Sequence, residues 1–270
     1  MAKEENLYVK EFISYYIKLG VDKIFIYDDN NLDSENIIDE INLLDEYKNY
    51  VHIYKNKSII KHQSNAFTDC YRKNYNKYDF FLMLDMDEFL VTVKKTLKNY
   101  LSQPIFNKCD FIKIHWVVPT DNNLLHYDNR SLFKRFKKPY RKSIHIKSII
   151  RGNISNLKYW VHSPSYSPNK NITCDSNGKT IKSNSVLIET VSHISIKNAY
   201  LIHFQFKSTE EFIKKFKRGY NDWISQKAHF MKLIEYLKFN EITKSKIDYI
   251  EKELKINLTK YRNEIIKYNK

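Results

Sequence analysis

From Asn6 to Leu19 the apolar residues Leu7, Phe12, Tyr15, Tyr16 and Leu19 recur at helical spacing, and Gly20 follows at the position of a C-terminal cap. The pattern predicts an amphipathic helix. A short apolar run, Ile24 to Tyr27, then reads as a strand that stops at the polar turn Asp28-Asp29-Asn30-Asn31. Ser34 stands where it can cap a second helix with Ile37, Ile38, Ile41 and Leu44 on its buried side. Val51 to Tyr54 predicts a second strand, and Phe67, Tyr71, Tyr75 and Tyr78 stripe a third helix that begins at about Gln63. Phe80 to Leu84 is apolar without a break, as in a strand covered on both faces. Helix and strand therefore alternate up to Leu90. That alternation predicts an α/β layer with parallel strands, whose ligand crevice lies beyond the strands' carboxyl ends.

Beyond Leu90 the alternation is less regular. Strand-like pieces occur around Phe111 to Val118, Ile144 to Ile150 and Ala199 to Phe206. His162 to Pro168 and Asp175 to Gly178 carry loop residues. Ser208-Thr209-Glu210-Glu211 is a capping box, and from there the chain reads as helical. No internal repeat or low-complexity linker divides it.

Composition narrows the chemistry. The chain has 270 residues, 42% of them hydrophobic, which is enough for a substantial core. Its four glycines form neither G-x-G-x-x-G nor G-x-x-x-x-G-K-[ST], so a phosphate cradle of glycine amides is not expected. The net charge of +15 favours polyanionic partners, yet its lysines are scattered as on a solvated surface. A nucleic-acid-binding protein with a nuclease-like acidic turn is the reading this charge leaves open, and nucleic acid is not the expected partner. Cys70, Cys109 and Cys174 are odd in number and lack the spacing of a zinc site or disulfide scaffold, which fits a reducing compartment. The amino terminus is charged, and the longest purely apolar run, Phe80 to Leu84, is too short to cross a bilayer. The expectation is a soluble, cytoplasmic protein, with peripheral membrane association left open.

The chemistry concentrates in Asp85-Met86-Asp87-Glu88, directly after the apolar strand. Residues two apart in extended chain share a face at about 6.5–7 Å, so Asp85 and Asp87 can bracket a hard cation, Mn²⁺ or Mg²⁺, together with phosphates. An acidic turn without function is the plain alternative. Asp28 and Asp29 end another strand and can accept from a base or ribose, or simply cap a turn. His203 opens a passage rich in Lys207, Lys215 and Arg218, which can hold a diphosphate; packing is the ordinary role of a strand histidine. Asp121 is the candidate general base, with Asp128 and Asp175 as competitors. Trp116, Tyr127 and Trp160 can stack on a sugar or fill a core.

These segments resemble glycosyltransferases of family 92 and the related family 2. The residues that carry the resemblance are Lys3 to Phe12, Leu19 to Lys23, Ile26 to Asp29, Asp85 to Phe89, Lys147 after Arg135-Phe136, His162, and His203 to Phe212 with Lys215 and Arg218-Gly219. The resemblance covers about residues 3 to 220 and implies a GT-A fold, with a mostly parallel central sheet flanked by helices. It implies a domain over 1–223, with a nucleotide-binding half to about residue 90 and an acceptor half after it, and a helical extension over 224–270. By the same resemblance the donor is a nucleotide diphosphate sugar, UDP-linked by expectation, held through Mn²⁺ or Mg²⁺, and the acceptor is a hydroxyl of a glycan or glycosylated molecule, attacked with inversion. Asp85, Asp87 and His203 match the metal set. Asp28, Asp29, Gln63, Asp85, Lys207, Lys215 and Arg218 fall to the donor, and Trp116 and His162 to the acceptor. Members of the family usually carry an apolar strand ahead of the Lys-x-Glu-Asn stretch. No such strand precedes Lys3 here, so the expectation is that the segment is truncated, that another element fills its place, or that donor affinity is lost, as in a non-catalytic carbohydrate-binding relative.

Overall fold

The computed structural model describes residues 2–30, 36–37, 45–55, 63–137, 140–167, 171–181, 190–193, 195–219 and 226–258. Contacts gather the chain into two compact units, one of residues 1–117 and 142–203 and one of 118–141 and 204–270. The sequence had suggested a division after residue 223 instead.

In the first unit the opening helix α1 spans Asn6–Leu19 and buries Tyr8, Val9, Phe12, Ile13, Tyr16 and Leu19. Leu7, expected on that stripe, faces solvent at 61% exposure. Gly20 ends the helix with φ 89°, where its N–H and that of Val21 reach Ile17 and Tyr16. A side chain would strain this left-handed turn. Strand β1 (Ile24–Asp28) pairs in parallel with β2 (Val51–Lys55), residue for residue. Of the helix expected after Ser34, Ser34, Ile38, Ile41 and Leu44 lie outside the described residues; Ile37 is buried. Helix α2 (Gln63–Asn74) buries Phe67 and Tyr71 against Phe81, Met83 and Phe111, with Tyr75 and Tyr78 at the margin of the same cluster.

The larger sheet contains β3 (Phe80–Leu82), β4 (Glu88–Thr92), β5 (Phe111–Val118), β6 (Arg141–Arg151), β9 (Thr173–Asp175) and β10 (Ala199–His203). Its order is β3-β6-β5-β10-β4, with β9 also on β5, and every residue of β5 is buried. A short helix, α3 (Leu97–Leu101), precedes β5, and a small hairpin, β7 (Lys158–Tyr159) with β8 (Pro164–Tyr166), follows β6. The expected mostly parallel sheet is corrected here to a mixed one. β5 runs parallel to β9 and β10, whereas β3 is antiparallel to β6 and β4 to β10. A short link, residues 83–87, joins β3 to β4. The same short link joins the two ends of the sheet order. Four strand spacings in a flat sheet are about 19 Å, and the link contains a turn in which the Glu88 N–H donates to the Asp85 carbonyl at 3.1 Å. A sheet whose ends are joined so briefly curls toward closure.

Cys109 and Cys174 form a disulfide across 65 residues, tying the entry of β5 to β9, and Cys70 is a buried thiol. A bridge between two of the three cysteines removes the support that their number and spacing gave to a reducing compartment, since disulfides persist in oxidising ones. Closing so long a loop restricts the unfolded chain by about 2–4 kcal/mol. Reduction with dithiothreitol is expected to lower the melting temperature markedly, and a melting curve unchanged by reduction would refute the bridge.

The second unit carries a short turn of helix, α4 (Leu132–Arg135), and the helices α5 (Thr209–Arg218), α6 (Gln226–Phe239) and α7 (Lys244–Leu254). The predicted capping box is present: Ser208 accepts from the Glu211 N–H, and the Glu211 carboxylate accepts from the Ser208 N–H. Phe212 stacks on Tyr236 with ring centres 4.1 Å apart. Among the described residues no helix is long and apolar enough to cross a membrane.

Candidate active site

The acidic turn after β3 is built around a buried lysine. Lys147 lies in the middle of β6, fully covered, and donates to Asp85 Oδ2 at 3.1 Å and to the Val161 carbonyl at 3.0 Å. Its Nζ is also 3.6 Å from Glu88 Oε2, which accepts from the Asp85 N–H at 3.0 Å. Burial opposes the lysine's charge, but Asp85 and Glu88 outweigh it and hold the ammonium firmly protonated. Burial likewise works against the charge of Asp85, and Lys147 reverses the effect, so its carboxyl lies below the usual range. Burial wins at Glu88, which is pushed up to about 7 despite Lys147. Gln63, the first residue of α2, donates its amide to the other oxygen of Asp85.

Asp87 points elsewhere. Its Oδ1 lies 3.4 Å from His203 Nε2, and pairing of β10 with β4 sets His203 beside Glu88. Trp116, delivered by β5, packs its ring 4.4 Å from His203, 5.2 Å from His162 and 5.4 Å from His145. His162 sits in the turn of the β7–β8 hairpin, whose carbonyl is pinned by the hydroxyls of Ser148 at 3.1 Å and Tyr159 at 3.0 Å. Burial first, and then the Lys147 ammonium, push the His162 imidazole down to about 3, so it is neutral in the physiological range. Four buried polar atoms in this region, Glu88 Oε1, Trp116 Nε1, His162 Nδ1 and His203 Nδ1, have no hydrogen-bond partner among the described residues. Such atoms are costly to bury and mark where a polar ligand gains most.

Asp85, Asp87, His203, Gln63, Trp116 and His162 thus meet in the first unit. Asp28 also belongs there, at the carboxyl end of β1, but its Oδ1 accepts from the Asn30 N–H at 3.1 Å as a turn cap does, and burial raises its pKa. The Asp29 N–H donates to the Ala2 carbonyl. Lys207, Lys215 and Arg218 lie in the second unit, where Lys207 is buried with φ 55°. Asp121 lies there too, and its surroundings do not suit a base facing an acceptor. It is 1% exposed, lies 2.8 Å from Lys246 through Oδ2, accepts from the Tyr236 hydroxyl at 2.6 Å, and receives the Asn123 N–H on Oδ1. Lys147 and Glu88 stand among the residues that carry the family resemblance, but neither is assigned a role from sequence. A lysine within the apolar run Ile144 to Ile150 was the available signal, because a buried ammonium demands a carboxylate nearby.

Among the described residues no three His, Cys, Asp or Glu side chains assemble as ligands of one ion. Asp87 and His203 nevertheless present an oxygen and a nitrogen at a separation close to the roughly 3 Å of adjacent ligands on one octahedral cation. Two protein ligands are the usual complement for a cation that shares its shell with substrate phosphates. The donor set therefore fits Mn²⁺ or Mg²⁺ delivered with a diphosphate.

No curated protein matches the sequence at a significant level. The family model for glycosyltransferase family 92 matches residues 1–258, nearly the whole chain. With that match over nearly its whole length, the chain belongs to glycosyltransferase family 92.

Proposed function

We propose that this glycosyltransferase moves a sugar from a nucleotide diphosphate donor, UDP-linked in our reading, to a hydroxyl of a glycan or glycosylated acceptor, with inversion. The observation that carries the proposal is the Asp87–His203 pair beside the Lys147-anchored Asp85. Mn²⁺ or Mg²⁺ bound by Asp87 and His203 would supply Lewis-acid stabilisation of the departing diphosphate. The residues of the chain do the rest. Lys147 and Gln63 fix the Asp85 carboxylate, which keeps lone pairs for a donor hydroxyl. Trp116 and the neutral His162 offer an aromatic face and a ring nitrogen to the sugars. In this reading Lys207, Lys215 and Arg218 serve the diphosphate, and Asp28 and Asp29 the nucleoside.

A thermal-shift screen of UDP- and GDP-sugars with and without Mn²⁺ tests the proposal, because a ligand that binds the folded state raises its melting temperature by mass action. A shift that requires both components is expected. Asp87→Asn keeps the shape but weakens the ligand, and is expected to abolish the Mn²⁺-dependent part of the shift. Equal shifts in Asp87→Asn and the unaltered protein would sink the metal assignment, and no shift with any nucleotide sugar would sink the donor class.

A further inference from the structure

β4 stands at one end of the sheet order and, among the described residues, pairs with β10 alone. Its other edge meets α1. The Tyr16 hydroxyl accepts from the Leu90 N–H and donates to the Glu88 carbonyl, each at 2.9 Å, and the Tyr15 hydroxyl donates to the Leu90 carbonyl at 2.7 Å. Tyr16 is buried, and burial raises its pKa well above the usual phenol value, so it keeps the proton it donates. Buried backbone groups need partners, and here two hydroxyls of one helix supply them.

The place of this clasp sets its role. Asp87 immediately precedes Glu88, and the pairing of β4 with β10 sets Glu88 opposite His203. The carbonyl that Tyr16 holds therefore belongs to the residue after Asp87 and lies across the ladder from His203. The Glu88 N–H goes to the Asp85 carbonyl at 3.1 Å, so with Tyr16 both backbone groups of Glu88 are held. Asp87 Oδ1 and His203 Nε2 lie 3.4 Å apart. A cation that demands near-ideal octahedral geometry tolerates little drift in that spacing. Helical period reads Tyr15 and Tyr16 as packing residues, and their rings do pack on Phe89, with centres 5.1 Å and 6.3 Å away. The hydroxyls are left for the backbone.

We infer that Tyr16 is a positioning residue for the Asp87–His203 pair: its hydroxyl fixes the Glu88–Leu90 backbone, and with it the spacing at which the two side chains meet Mn²⁺ or Mg²⁺. Tyr15 supports it from Leu90. The inference rests on the metal reading given above. Tyr16 acts through the backbone of β4 and needs no contact with ion or substrate. Partners of this kind typically contribute roughly ten- to hundredfold to metal affinity.

Tyr71 provides the comparison. It is similarly buried, and its hydroxyl makes the same double contact elsewhere, donating to the Arg151 carbonyl at 3.0 Å and accepting from the Ile154 N–H at 3.2 Å. Tyr16→Phe and Tyr71→Phe remove the same atom and keep the ring, and are expected to lower the melting temperature by similar amounts. Mn²⁺ uptake should separate them, followed by loss of the free ion's electron paramagnetic resonance signal with UDP or GDP present. Affinity is expected to be about tenfold weaker in Tyr16→Phe and unchanged in Tyr71→Phe. Tyr15→Phe, which leaves the Tyr16 clasp in place, is expected to fall between them, and its comparison with Tyr71→Phe decides the matter should Tyr16→Phe fail to fold. Equal Mn²⁺ affinity in Tyr15→Phe, Tyr16→Phe and the unaltered protein, or equal weakening by Tyr71→Phe, overturns the positioning role. No uptake by the unaltered protein with either nucleotide would overturn the metal reading, and the inference with it.

Discussion

Lys147→Met is expected to destabilise the protein by about 3–5 kcal/mol, the usual consequence of removing one partner from a buried ion pair. The ammonium pairs with Asp85 at 3.1 Å and stands 3.6 Å from Glu88, and Glu88 is fully covered. Without it two carboxylates face each other through the turn. Asp85, whose side chain is 31% exposed, can recover some hydration; Glu88 cannot, and must take a proton instead. The double variant Lys147→Met, Glu88→Gln should recover much of the loss, because it removes the uncompensated charge while keeping an acceptor for the Asp85 N–H. Urea denaturation of the four proteins of this cycle measures the coupling. Additive effects would show that Lys147 and Glu88 do not act on each other.

The second large effect has the opposite sign. Lys113, in the first half of β5, is fully buried with the Ser148 hydroxyl as its hydrogen-bond partner at 3.0 Å, and burial pushes its pKa down to about 7. The unfolded chain, with an ordinary lysine pKa near 10.4, binds that proton more tightly. Stability therefore rises with pH between about 7 and 10, and the full cost is present below that window. At a pH just under 7 the cost is on the order of 4–5 kcal/mol. Lys113→Met removes it and forfeits about 1 kcal/mol of hydrogen bonding; Ser148 still donates to the His162 carbonyl. A net gain of about 3 kcal/mol is expected at pH 6, shrinking to nothing near pH 10. Denaturation at both pH values checks this, and a gain independent of pH would show that the lysine's proton is not its source.

Period and punctuation carried the local structure. The 3.6-residue period located α1 and α2, Gly20 marked the first stop, and Ser208 to Glu211 marked the start of α5. The period did not fix which residues face inward, since Leu7 is exposed where Tyr8 and Val9 are buried. Strand direction was harder still. Phe80 to Leu82 and Phe111 to Val118 read as apolar runs whichever way their neighbours point, and the reversal at Asp85–Glu88 is a matter of link length and tertiary pairing. The disulfide was illegible because Cys109 and Cys174 meet only through the pairing of β5 with β9.

The site divides along the same line. Asp85, Asp87 and His203 were legible as candidates from their residue types and places in the sequence, and the structure sets Asp87 3.4 Å from His203. Lys147 and Glu88 were not, because what they do depends on a contact between β6 and a turn some sixty positions earlier. Asp121 shows the converse: a loop aspartate two residues past a proline looks available in sequence and is consumed by Lys246 and Tyr236 in three dimensions.

That last contact has a consequence for synthesis. Asp121 and Lys246 are 125 residues apart, and the second unit is assembled from residues 118–141 and 204–270. On the ribosome the first unit's last strand, β10, is in hand once His203 has emerged, so that unit can fold while translation continues. The 118–141 segment must wait, with Asp121 and Arg135 lacking Lys246 and Glu211, until the helices after Phe204 follow it out. Once the first unit has folded, this inserted segment is the stretch of emerged chain still open to a nascent-chain chaperone.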